Sequence, residues 1–265
     1  MSEMRIDVND HFVKVHNGEM FVKSWSPGNA AAIPAVLLHD SLGSVELWRS
    51  FPERLAETLG RRLIAYDRLG FGRSTALDIL PSARFIDEEA HIYFPAIREA
   101  LGFEDFLLFG HSVGGAMALT IAARFGTRCR AVITESAQAF VETRTLEGIK
   151  NAVRSFADPG RMEKLRRLHA EKAKWVLRAW TEVWLSEEFR DWSLGTVLPH
   201  VRCPVLILHG GEDEFGSAAF PEMICSAVAG YCEMHLLDGV GHVPHRDDPE
   251  LVLNLTVRFV EQYAT

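Results

Sequence analysis

The chain has 265 residues, 48% hydrophobic and 24% charged, a globular mixture long enough for one sizeable core with an insertion and unlike a disordered chain. Its 28 basic against 36 acidic residues leave a formal charge of −8, and no basic stripe is interleaved with aromatics, which argues against nucleic acid or anionic membranes as partners. Met1–Asp7 lacks the apolar centre of a signal peptide, no apolar run is long enough to span a bilayer, and Cys129, Cys203, Cys225 and Cys232 show neither CxxC nor His-paired metal spacing. The expectation is a cytoplasmic protein with free thiols, of which Cys225 and Cys232 would approach each other if oxidised.

In chain order, Phe12 to His16 and Met20 to Trp25 alternate apolar and polar residues around Asn17-Gly18, which predicts a hairpin. Strands and helices then take turns: strand Ala35 to His39, a helix from Glu46 to Leu59, strand Leu63 to Tyr66, helix Asp87 to Leu101, strand Phe106 to Phe109, a helix of small residues after Ser112, and strand Ala131 to Thr134. A long helical stretch separates these from strand Val205 to His209, helix Ala218 to Ala229, strand Cys232 to Leu237 and a last helix from Pro249 to Tyr263. Such alternation predicts an α/β fold, a mostly parallel sheet covered on both faces, with its site at the carboxyl ends of the strands. Gly70-Phe71-Gly72 is too short for a dinucleotide fingerprint and reads as a turn near the cleft.

Ser112 sits in Gly110-His111-Ser112-Val113-Gly114-Gly115, between the run Phe106-Leu107-Leu108-Phe109 and the helix starting Ala116-Met117-Ala118. Strand, then Gly-x-Ser-x-Gly, then helix is the context of a nucleophile elbow, a turn so tight that the flanking glycines are needed to avoid crowding. A serine alcohol is a poor nucleophile unless a base and an orienting acid stand beside it. Asp213 follows the strand Val205 to His209, and His242 follows the strand Cys232 to Leu237, so serine, acid and histidine occur in that order. Glu135, after the strand Ala131 to Thr134, is the alternative acid. Asp238 reads as a local turn residue, His39 and His111 as packed, hydrogen-bonded side chains, and His245, within Pro244-His245-Arg246-Asp247-Asp248, as part of an exposed turn.

Five segments together resemble the α/β-hydrolase superfamily over nearly the whole chain: Leu37 to Gly43, Tyr66 to Ser74, the elbow, His209 to Asp213, and Gly241 to Pro244 with Asp248-Pro249-Glu250. The resemblance implies a Ser112–His242–Asp213 triad and an oxyanion hole made of the Val113 amide and a second amide from Ser41, with Leu42 as the other possibility. Relatives usually have His-Gly where this chain has His39-Asp40; a carboxylate there opposes the developing charge, so Asp40 is expected to point away and bond locally. The resemblance also implies a helical cap at residues 138–196, inserted into a core domain of residues 1–137 and 197–265. Within it, Arg161 to Leu185 carries an apolar stripe, and Asp158-Pro159-Gly160 separates a short helix from this longer one.

Four of the six tryptophans, Trp175, Trp180, Trp184 and Trp192, lie in that insertion. Most are expected to pack the cap, with Trp180, Trp184, Leu42 and His111 as candidates to contact substrate. Arg144, Arg154 and Arg178 are candidates to bind a substrate carboxylate, with solvated surface charge as the default reading. A serine nucleophile argues against mechanisms that form an ester on a carboxylate. Carbon–carbon bond hydrolases usually place Asn before the elbow serine and Trp after the triad histidine; His111 and Val243 stand there instead. The expected activity is hydrolysis of a carboxylic ester, lactone or thioester of a small-molecule substrate, with no metal or organic cofactor; the alternatives are carbon–carbon bond hydrolysis and a ligand receptor without turnover.

Overall fold

The computed structural model describes residues 6–264, so the reading of Met1–Arg5 lies outside the described residues. β1 (Ile6–Val15) and β2 (Gly18–Pro27) form the expected hairpin, with Val15 opposite Gly18. β3 (Ala31–Leu38), β4 (Arg61–Tyr66), β5 (Phe106–His111), β6 (Cys129–Glu135), β7 (Val205–Gly210) and β8 (Cys232–Leu237) complete an eight-stranded sheet of order β1-β2-β4-β3-β5-β6-β7-β8. The pairs β1–β2 and β2–β4 are antiparallel, and all others are parallel. The central strands read as continuous apolar runs because both of their faces are covered.

Helices α1 (Phe51–Leu59), α2 (Phe85–Glu88), α3 (Phe94–Leu101), α4 (Val113–Phe125), α5 (Thr143–Ser155), α6 (Pro159–His169), α7 (Ala173–Trp184), α8 (Ala219–Ala227), α9 (Pro244–Asp247) and α10 (Pro249–Tyr263) complete the main elements. One face of the sheet, with Val36, Leu108, Val132 and Ile207, packs against α3, α4 and α8. The other, with Leu37, Leu107, Ile133 and Leu206, packs against α1 and α10. Successive residues of each strand thus feed opposite layers. Helix α4 lies in the interior, with every residue from Val113 to Ala122 buried, which explains its lack of any charged residue before Arg124.

Three expectations need correction. The helix expected from Glu46 to Leu59 is a 3₁₀ turn (Val45–Trp48) and then α1; Arg49 has φ 54 and Pro52 occupies the first turn of α1, so one continuous helix cannot form. The helix from Asp87 to Leu101 starts earlier and holds a π turn (Glu89–Tyr93) just ahead of Pro95, whose missing N–H breaks the regular ladder. Arg161 to Leu185 is two helices, α6 and α7, divided at Ala170 with φ 52, and the preceding α5, expected to be short, has 13 residues.

Cys225 and Cys232 are joined in a disulfide instead of standing as free thiols, whereas Cys129 and Cys203 are free and buried. Among the described residues, no helix is long and apolar enough to cross a membrane.

Candidate active site

The site starts from a steric constraint. Ser112 has φ 58 and ψ −123, between the last residue of β5 and the first of α4. A Cβ on Gly110 would lie 2.2 Å from Gly114 O, and one on Gly114 would lie 2.1 Å from Leu38 O, so only glycine lets the helix turn back this closely. The turn lifts Oγ above the sheet and sets the Val113 amide at the start of α4, where no intrahelical acceptor is available to it.

Three loops converge there. His242 Nε2 lies 3.0 Å from Ser112 Oγ, and His242 Nδ1 lies 2.8 and 2.9 Å from the two oxygens of Asp213. With Nδ1 donating to the carboxylate, Nε2 carries the lone pair that faces the serine hydroxyl. Burial alone would raise the Asp213 pKa; the hydrogen bond from His242, its charge, and the Phe215 amide at 2.7 Å outweigh that and hold the carboxyl below its ordinary range. Helix α5 secures this loop: Arg144 donates to Asp213 O at 3.1 Å and Thr145 to Phe215 O at 2.6 Å. Arg144 thus ties this loop while remaining solvent-exposed, and Arg178 pairs with Glu182 at the surface as expected.

The oxyanion loop follows β3. Asp40 Oδ1 accepts from the Leu42 amide at 2.8 Å, which commits that amide and leaves Ser41 as the loop's candidate donor. Asp40 Oδ2 faces His111 Nδ1 at 3.3 Å. Asp40 is therefore locally bonded as expected, but it is not turned away, since it also lines the cavity over Ser112. His111 does not line the cavity above Ser112: as the residue before Ser112 it points to the other side, and its Nε2 meets His242 O at 2.7 Å. Both ring nitrogens face acceptors, an arrangement that favours the doubly protonated ring.

Burial pushes the Asp40 pKa up and the His111 pKa down, but their contact prevails, holding Asp40 well below and His111 above its ordinary value. A lowered carboxyl pKa stabilises the fold above the unfolded-chain value of about 4 and is lost as pH falls through the folded one. A raised imidazole pKa stabilises below about 6.5 and is lost as pH rises through the folded one. The pair contributes most between about pH 4 and 6.5, so Asp40→Asn should lower the thermal midpoint most near pH 5 and least near pH 8.

The alternative acid, Glu135, is not beside His242: its Oε2 accepts from His245 Nδ1 at 2.6 Å. His245, expected in an exposed turn, is 6% exposed at the start of α9 and packs 4.8 Å from the Trp48 ring. Apolar rings and a buried carboxylate hold it in, neither of which its own segment discloses. Asp238 stands in an exposed turn beside Gly239. His39 donates from Nδ1 to Asp40 O at 2.8 Å and accepts from the Arg68 amide at 3.2 Å, and burial lowers its pKa.

The cavity over Ser112 holds about 130 Å³ and is lined by Ser41, Leu42, Gln138, Thr145, Ile149, Trp180, Trp184, Phe215 and His242, among others. Trp175 packs on Phe71 and Trp192 stacks on Phe189. The sequence reading missed Gln138, whose Nε2 lies 3.1 Å from Ser112 Oγ; its only signal is a place three residues past the carboxyl end of β6. It also missed His169 of α6, which accepts from the Gly72 amide at 2.8 Å and donates to Leu42 O at 2.9 Å, tying the insertion to two loops.

Fold, elbow and the hydrogen-bonded serine, histidine and aspartate define a serine hydrolase. The chain belongs to the α/β-hydrolase family, whose model matches residues 35–255. It is similar to the serine hydrolase BPHL of Mus musculus, 28% identical over 211 residues that span 76% of this chain and 66%, just under two thirds, of that protein. The human BPHL is 27% identical, covering 95% of this chain and 82% of the relative. Among solved structures, the proline iminopeptidase of Mycobacterium smegmatis shares the fold with a TM-score of 0.71 at 22% identity, covering 96% of this chain and 98% of that one.

Proposed function

We propose that the protein hydrolyses carboxylic esters of small, partly apolar substrates through an acyl-enzyme on Ser112. The observation that carries this reading is the continuous chain Ser112 Oγ–His242 Nε2 at 3.0 Å and His242 Nδ1–Asp213 at 2.8 Å, beneath an apolar cavity. His242 takes the Ser112 proton as Oγ bonds to the ester carbonyl carbon, and the carbonyl oxygen gains the charge that the Val113 and Ser41 amides receive. Collapse of the adduct breaks the carbon–alkoxide bond, and His242 Nε2–H protonates the departing alcohol. Water then loses a proton to His242 and attacks the acyl carbon; the second adduct releases the acid, and the proton returns to Ser112. Asp213 holds the imidazole tautomer and balances its charge. Gln138 fixes the Oγ orientation between turns.

Residues 138–196 act in this reading as a cap over the core domain of residues 1–137 and 197–265, with Leu42, Trp180 and Trp184 shaping the substrate space. The names of the BPHL relatives support serine hydrolysis. Val243 and His111, in place of the residues carbon–carbon hydrolases usually carry there, support an ester over a carbon–carbon bond. Incubation with a fluorophosphonate probe and short p-nitrophenyl esters tests the reading. Labelling and turnover should depend on Ser112; faster turnover of a vinylogous 1,5-diketone than of every ester would replace it with the carbon–carbon reaction.

A further inference from the structure

The cavity over Ser112 is not the largest. A second one, of about 430 Å³, is walled by Leu77, Leu80, Phe85, Tyr93, Arg68 and Glu89. Between the two lies a narrow void of about 10 Å³ that shares Ser41, Trp180 and Trp184 with the Ser112 cavity, and Arg68, Phe71 and Phe85 with the larger one. The two cavities therefore lie side by side past the loop that follows β3, with this void and its shared wall residues between them.

Arg68 stands at this constriction, 7% exposed. Its Nη2 donates to Asp40 O at 2.7 Å, and its guanidinium carbon lies 4.3 Å over the Phe71 ring. Its Nε has no hydrogen-bond partner, and among the described residues no carboxylate lies within ion-pair distance of it. A guanidinium keeps its proton, and the carboxylates that act on this one, Glu89 and Asp40, lie beyond ion-pair distance, so its buried charge is incompletely matched. The nearest buried acid in the chamber, Glu89, accepts from Tyr66 Oη at 2.6 Å. Glu88 and Asp78 are at least partly exposed, where solvent screens them.

We propose that the larger chamber receives a carboxylate carried on one arm of the substrate, with Arg68 as its receptor. This rests on the esterase reading of Ser112 and names its substrate class: a half-ester of a dicarboxylic acid or a similar anionic ester. With Glu89 protonated, one guanidinium balances a single negative charge, which suits a carboxylate better than a phosphate. Burial raises the Glu89 pKa to about 7 against the pull of Tyr66 and Arg68, so that this carboxyl can take up a proton when the anion enters near neutral pH.

The test compares p-nitrophenyl hydrogen adipate with its neutral analogue, p-nitrophenyl methyl adipate, by nitrophenol release. Wild type should favour the anionic ester by roughly ten-fold or more in kcat/KM, Arg68→Gln should bring the ratio near one, and Arg68→Lys should fall between. A wild-type preference for the neutral ester, or the same ratio in wild type and Arg68→Gln, overturns the proposal. Because Arg68 also holds the Asp40 carbonyl, Leu77→Trp serves if Arg68→Gln does not fold: by narrowing the chamber it should lower the anionic-to-acetate ester ratio, and an unchanged ratio overturns the proposal. Calorimetry of adipate with Ser112→Ala separates the two readings. A protein that turns over neither ester but binds adipate through Arg68 loses the esterase reading and keeps the chamber; one that turns over both esters equally does the reverse.

Discussion

Ser112→Ala is expected to lower kcat for p-nitrophenyl butyrate by about 10⁴- to 10⁶-fold while KM changes little. Alanine removes the nucleophile but leaves the 130 Å³ cavity and the Val113 and Ser41 amides, so binding and some stabilisation of the adduct by water attack survive. His242→Ala should cost nearly as much, and the double variant hardly more than either, because the hydroxyl and the imidazole act as one unit across their 3.0 Å contact. Steady-state kinetics on the two single variants and the double one measure this directly. Additive losses, or a drop below about 10²-fold in Ser112→Ala, would place the nucleophile elsewhere.

Gly114→Ala is expected to damage fold and activity together. The added methyl would sit 2.1 Å from Leu38 O, 2.6 Å from Leu38 C and 2.8 Å from His39 O. These are backbone atoms at the end of β3, with no side chain free to swing aside, so either α4 lifts from the sheet or β3 shifts. The overpacking should lower unfolding free energy by about 3 kcal/mol. The strand that would move leads into Asp40 and Ser41, and a displacement of about 1 Å at the oxyanion loop should cost about 10²-fold in kcat. Gly28→Ala is the control, since nothing lies within 4 Å of a Cβ there. Equal thermal midpoints and rates for Gly114→Ala and wild type would rule out the close approach.

The order of strands and helices was legible because each element's period is written in its own residues. The elbow was legible for a related reason: its glycines answer a steric demand made within five residues. Asp213 and His242 could be named because each follows its strand within a few positions, on the side where a parallel sheet opens. The edges of helices were less so, as Arg49, Ala170 and the π turn before Pro95 show, since a single backbone reversal leaves little trace in an apolar stripe.

Local pattern along the chain therefore specifies the sheet with its covering helices and the presence of a serine, an acid and a histidine at strand ends. The tertiary structure decided which partners met. Glu135 went to His245, a residue 110 positions away, and left Asp213 for His242. Gln138 came to rest on Ser112, His169 on two distant loops, and Arg68 between two chambers. Periodicity and glycine sterics act between near neighbours in the chain, whereas a buried charge or amide finds its partner only when segments a hundred residues apart are packed together and water has been removed from between them.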